Sequence, residues 1–111
     1  MANSFAIVMT TTSSKDNANA IVKALLDKEL AACIQIMPIE SHYVWKGEIQ
    51  QDPEFLLLIK SKTTLYEKIE SCILQQHTYE TPEIIQIPIE KGSNAYLNWM
   101  TQVTTDPTPD T

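Results

Sequence analysis

The pattern of the chain predicts an α+β fold of the ferredoxin-like, split βαβ type. The expected order is β-α-β-β-α-β plus a C-terminal helix, with an antiparallel sheet and an extended β-hairpin. Three observations carry this reading. Four apolar, β-branched runs occur at 5–11, 32–45, 48–60 and 84–89. Helically spaced apolar residues separate the first run from the second and the third from the fourth. The second and third runs are parted only by Lys46-Gly47, a two-residue turn signal in which glycine accepts a positive φ.

Taken in order, 5–11 is a short run suited to a strand buried on both faces. Ser13 and Ser14, with Asp16 three places after Ser13, mark a helix start. Ala18, Ile21, Val22, Leu25 and Leu26 then recur at helical spacing, and the helix is expected to end near Leu30. The next strand runs from Ala32 to Met37, resumes after Pro38 and reaches Trp45. The return strand spans 48–60, with Phe55 to Ile59 as its apolar centre. Thr64 and Glu67 have the spacing of a capping box, and Leu65, Ile69, Cys72 and Ile73 give a second amphipathic helix ending near Gln76. After the loop 77–83 comes the fourth strand, 84–89. Gly92-Ser93 opens a short helix carrying Tyr96, Leu97, Trp99 and Met100. Residues 1–103 form one domain on this reading, and 104–111, anchored by nothing apolar except prolines, is expected to fray.

The hairpin is too long for its own domain. Strands of about 14 residues reach roughly 45 Å at 3.3 Å per residue, about twice the usual length. Two helices that must also cover the first and fourth strands cannot cover the arm 40–53. Tyr43, Val44, Trp45 and Ile49 thus lack a partner within one chain, which marks an interface. Pro38 and Pro53 each remove a ladder donor and are expected at bends or edges. The inference is a homo-oligomer.

Composition narrows the function. Among 111 residues, 8 are basic and 14 acidic, a net charge of -6. Without a basic stripe, neither a nucleic-acid backbone nor an anionic membrane surface is an expected partner. No run approaches the roughly 20 apolar residues needed to span a bilayer, and the N-terminus has no signal-peptide pattern. The expected location is the cytoplasm. Two cysteines, Cys33 and Cys72, are widely spaced and read as reduced, packed thiols. With only 2 glycines there is no Gly-rich phosphate cradle, and nothing marks a catalytic acid beside a base.

The chemistry-bearing residues gather in His77-Thr78-Tyr79-Glu80-Thr81-Pro82-Glu83. His77 is either a ligand for Cu, Zn or Ni or a loop histidine placed at a helix C-terminus. His42 has a weaker claim to ligation, standing alone in the hairpin. Tyr43 and Trp45 share a strand face and either stack on a ligand or pack an interface. Tyr79, Glu80 and Glu83, with Lys60 across the sheet, form an inter-subunit pocket or merely satisfy backbone donors around Pro82.

Leu30-Ala31-Ala32-Cys33-Ile34, Tyr43-Val44-Trp45-Lys46-Gly47-Glu48 and His77-Thr78-Tyr79-Glu80-Thr81-Pro82-Glu83-Ile84 resemble the CutA family of divalent-cation-tolerance proteins, in order and spacing, over roughly residues 5–100. The resemblance implies a non-enzymatic trimer of ferredoxin-like subunits joined through hairpins and sheet edges, related in architecture to PII signalling proteins. It further implies a role in copper tolerance for bacterial members and, for animal relatives, an association with membrane anchoring of acetylcholinesterase. It favours an inter-subunit pocket formed by Trp45, Lys60, Tyr79, Glu80 and Glu83. One departure stands out. Some bacterial members bind copper through a cysteine ending the first strand and a His-His pair before the fourth; here these positions read Thr10 and Gln76-His77. Only His77 of that set remains, so the expectation is weak, His77-dependent binding of Cu(II) or another divalent cation, assisted by Glu80 or a neighbouring subunit's carboxylate, with no tightly bound cofactor. The alternative is a PII-like regulator that binds a small molecule and meets metals only incidentally.

Overall fold

The computed structural model describes residues 4–106. Its elements are β1 (Phe5–Thr12), α1 (Lys15–Asp27), β2 (Cys33–Trp45), β3 (Glu48–Lys62), α2 (Tyr66–Gln76), β4 (Ile84–Ile89) and α3 (Asn94–Val103). They form one antiparallel sheet in the order β2-β3-β1-β4, the split βαβ arrangement with an added terminal helix. The expected frame holds.

Strand alternation explains the layering. Ala6, Val8, Leu57 and Ile59 turn toward α1 and α2, where Ile21, Leu25, Ile69 and Ile73 close a dry core. Both helices present apolar residues at helical spacing, and α1 begins at Ser14, whose hydroxyl accepts from the Asn17 amide at 3.0 Å.

Three local details differ from expectation. Helix α1 stops at Asp27, three residues short of Leu30, because the chain closes a Schellman turn: Leu30 N donates to Leu25 O and Glu29 N to Leu26 O, both at 3.0 Å. Glu29 supplies the left-handed residue at φ 56°, a position glycine would take without strain. The Thr64–Glu67 capping box does not form. A 3-10 turn, Thr63–Leu65, leads into α2 instead, and Leu65 at the cap has no side-chain hydrogen bond to offer. Third, the start of the expected frayed tail is tied down. The Lys62 ammonium, 6 % exposed, donates to Thr104 O and Thr105 O at 3.4 and 3.2 Å, and Thr105 N donates to Glu29 O at 2.8 Å. Residues 107–111 lie outside the described part.

The hairpin is as long as the sequence demands. Strands β2 and β3 have 13 and 15 residues and pair without interruption from Cys33↔Lys60 to Trp45↔Glu48. Lys46 and Gly47 both carry positive φ, at 52° and 79°, which is the type I′ geometry. Strand β1 covers β3 only as far as Thr12↔Phe55, so the arm beyond Phe55 projects as a two-stranded ribbon. Pro38 lies on the edge strand and Pro53 on the projecting part of β3. Each loses its ladder donor where only one strand flanks it within this chain.

The arm leaves Val44 and Ile49, a cross-strand pair, 72 % and 83 % exposed. A second uncovered area went unread in the sequence. The sheet face opposite α1 and α2 carries Met9, Met37, Leu58, Ile85 and Ile87, and only α3, with buried Met100, packs near it.

Candidate functional site: the cleft between the arm and the loop before β4

Where β1 ends and the arm continues, the loop 77–83 folds into the notch beside them. The result is a cleft of about 480 Å³, within the usual small-molecule range. Thr11 of β1, Tyr79 of the loop and Ser41, Tyr43, Trp45 and Glu54 of the arm line it. Glu80 and Glu83, both exposed, stand on the loop side, and His42 adds an imidazole already bonded to Glu40 at 3.0 Å.

Glu54 is the centre of this arrangement. It is 9 % exposed, and its Oε2 accepts the Tyr79 hydroxyl at 2.6 Å. That bond ties the loop to the arm. Burial, and then the bond to Glu54 and its negative charge, push the Tyr79 phenol up to about 12. The phenol is therefore harder to ionise in the folded protein than in the unfolded chain. Its contribution to stability is complete below pH 10 and is lost as pH rises from 10 toward about 12. A phenolate absorbance titration should find this one tyrosine ionising late. In Glu54→Gln the carboxylate cause is gone while burial remains, so the late phase should move part of the way back toward 10. An unchanged titration would show that the Tyr79–Glu54 contact is not made in solution.

His77 holds the loop in place. Its Nε2 lies 2.7 Å from Thr11 O, a carbonyl that can only accept, so Nε2 carries the proton. The Tyr79 amide donates to Nδ1 at 3.0 Å. The His77 and Tyr79 rings also pack 4.8 Å apart, tilted by 45°. Asn17, at the start of α1, adds a second tether through its Nδ2 to Gln76 O at 2.8 Å. Both His77 nitrogens are thus in use, and metal ligation would require breaking one of these bonds. Among the described residues no group of three or more His, Cys, Asp or Glu side chains could hold a metal ion. Thr10, at the position of the family's cysteine, is fully buried with its hydroxyl unpartnered. A closed transition-metal site does not fit the residues present.

Of the residues read as an inter-subunit pocket, Trp45, Tyr79, Glu80 and Glu83 line this cleft within one chain, and Lys60 lies apart from them. Lys60 stands six residues along β3 from Glu54, roughly 20 Å at 3.3 Å per residue. Its ammonium lies over the Tyr96 ring at 5.8 Å instead. Glu54 and Thr11 were missed in the sequence. The one available signal was an acid wedged between Pro53 and an apolar run that must be buried.

The fold and cleft define a small α+β protein with a projecting ribbon and an acidic cleft lined by aromatic side chains. The chain belongs to the CutA1 divalent ion tolerance protein family, whose profile matches residues 6–103. It is 39 % identical over 99 residues to the divalent-cation tolerance protein CutA of Thermus thermophilus, covering 88 % of this chain and 96 % of that one. It is 41 % identical over 88 residues to protein CutA of Homo sapiens, covering 78 % of this chain but only 49 % of the human protein. The chain thus spans about half the length of its mammalian relatives. Among solved structures, CutA1 from Oryza sativa superposes with a TM-score of 0.90 at 34 % identity, covering 93 % of this chain and 95 % of that one. CutA from Archaeoglobus fulgidus, described as periplasmic, gives 0.86 at 34 % identity over 92 % and 98 %. None of these relatives is named as an enzyme. No described helix is long and apolar enough to cross a membrane.

Proposed function

We propose that this chain acts as a non-enzymatic homotrimer that responds to divalent cations, binding them weakly in the cleft between the arm and the loop 77–83. The observation that carries the binding site is Glu54. A carboxylate that is 9 % exposed and has the neutral Tyr79 hydroxyl as its side-chain partner leaves a buried negative charge facing the cleft. A cation beside it would add the charge partner that a neutral hydroxyl does not supply. Glu54, Glu80 and Glu83 line the cleft without converging as a three-ligand group, which suits weak rather than resident binding, and the usual affinity order favours Cu(II) among divalent ions. The trimer rests on the uncovered arm and the uncovered sheet face, and the acidic, thiol-bearing composition supports a cytoplasmic setting.

The size of the cleft supports a second reading, a PII-like regulator with a small-molecule ligand and incidental metal binding. Calorimetric titration with copper(II) on wild type, His77→Ala and Glu54→Gln tests the first. The expected result is weak binding by wild type, retained in His77→Ala and lowered in Glu54→Gln. Loss of binding in His77→Ala alone would return the site to the imidazole. One metal per subunit surviving dialysis would overturn the weak-binding reading.

A further inference from the structure

We propose that the ligand of this cleft is a small organic diamine, held with one ammonium group against the Glu54 carboxylate. This rests on the reading of the cleft as a cation site and names the kind of cation. Three features separate it from a bare metal ion. At about 480 Å³ the cleft is the size of a small molecule, and a single dehydrated ion would leave most of it empty. Among the described residues no three potential metal ligands converge. The cleft also has aromatic walls, from Tyr43, Trp45 and Tyr79, against which an alkylammonium can lay its methylenes and present its charge.

Charge selects the sign of the ligand. No Lys or Arg lines the cleft, and its one basic side chain, His42, is bonded to Glu40 at 3.0 Å rather than to Glu54. The Tyr79 hydroxyl occupies one acceptor position on Oε2, and a carboxylate has about four. An N–H-bearing ammonium fills the others with charge-assisted hydrogen bonds, which are about twice as strong as neutral ones. The Trp45 ring already accepts a cation, with the Lys46 ammonium 5.9 Å from its centroid. Glu80 and Glu83, exposed on the loop side, supply negative charge for a second ammonium at the rim. That is why a diamine fits better than a monoamine.

Calorimetric titration of the purified full-length protein with putrescine, propylamine, butanediol and manganese(II) chloride tests the proposal. Putrescine should bind more tightly than propylamine, and the neutral, similarly sized butanediol should not bind. Glu54→Gln should weaken putrescine about 10- to 100-fold, the range for losing a hydrogen bond to a charged group. Should Glu54→Gln fail to fold, the double variant Glu80→Gln/Glu83→Gln, confined to exposed positions, keeps the test open. It should weaken putrescine severalfold and propylamine less, since only the diamine places an ammonium at the rim. Butanediol binding as well as putrescine would show that the cleft reads shape and not charge, overturning the proposal. Manganese binding without putrescine binding would overturn the diamine and leave the cation site standing. Failure of both would remove both readings.

Discussion

Replacing Val44 and Ile49 together by Asp should convert a trimer into monomers. The two side chains face each other across the arm at 72 % and 83 % exposure, the most exposed large apolar pair beside the turn. Burying each in an assembly contributes roughly 1.5 to 3 kcal/mol, so the pair supplies about 3 to 6 kcal/mol per subunit. Asp at either site reverses that gain and adds the cost of burying a charge without a partner. Nothing in the monomer's own core touches these positions, so far-ultraviolet circular dichroism should be unchanged. Sedimentation at low micromolar concentration should show one trimeric species for wild type and a monomer for the double variant. A variant that remains trimeric would move the interface off the arm and onto the open sheet face. A monomeric wild type would remove the trimer altogether.

The second large effect is expected at Leu57→Ala. Leu57 is fully buried on β3, the strand that β1 and β2 flank and that carries Glu54 three residues earlier. Truncation removes three side-chain carbons and leaves a cavity whose walls, Val8, Ile59 and the helix residues, are held by the sheet and cannot collapse fully. Large-to-small changes of this kind cost about 2 to 5 kcal/mol. Denaturant unfolding, carried out at one protein concentration because assembly shifts apparent stability, measures it. A loss below about 1 kcal/mol would mean that the helix layer packs more loosely than its burial implies. Copper or amine binding by the folded fraction should persist, since Leu57 points away from the cleft.

Much of this protein is legible in its sequence. The periods of 2 and 3.6 in the apolar residues, the Lys46-Gly47 turn and the Gly92-Ser93 helix start determine the elements, because each is a local consequence of side-chain spacing and backbone preference. The same local signals located the loop 77–83 and the unpartnered arm. The capping box failed because Thr64 and Glu67 have the right spacing but the chain enters the helix through a 3-10 turn, a choice made by Leu65 packing into the core. Tertiary structure alone decided the roles at the site. Whether His77 offers a lone pair depends on the Thr11 carbonyl 66 residues away, and Lys60 leaves the cleft because strand length, not sequence order, sets its distance from Glu54. Glu54 gains its buried, singly partnered state only when Tyr79, 25 residues later, folds over it. Spacing along the chain specifies which groups share a face, but desolvation and hydrogen-bond saturation are set by what arrives from elsewhere in the fold.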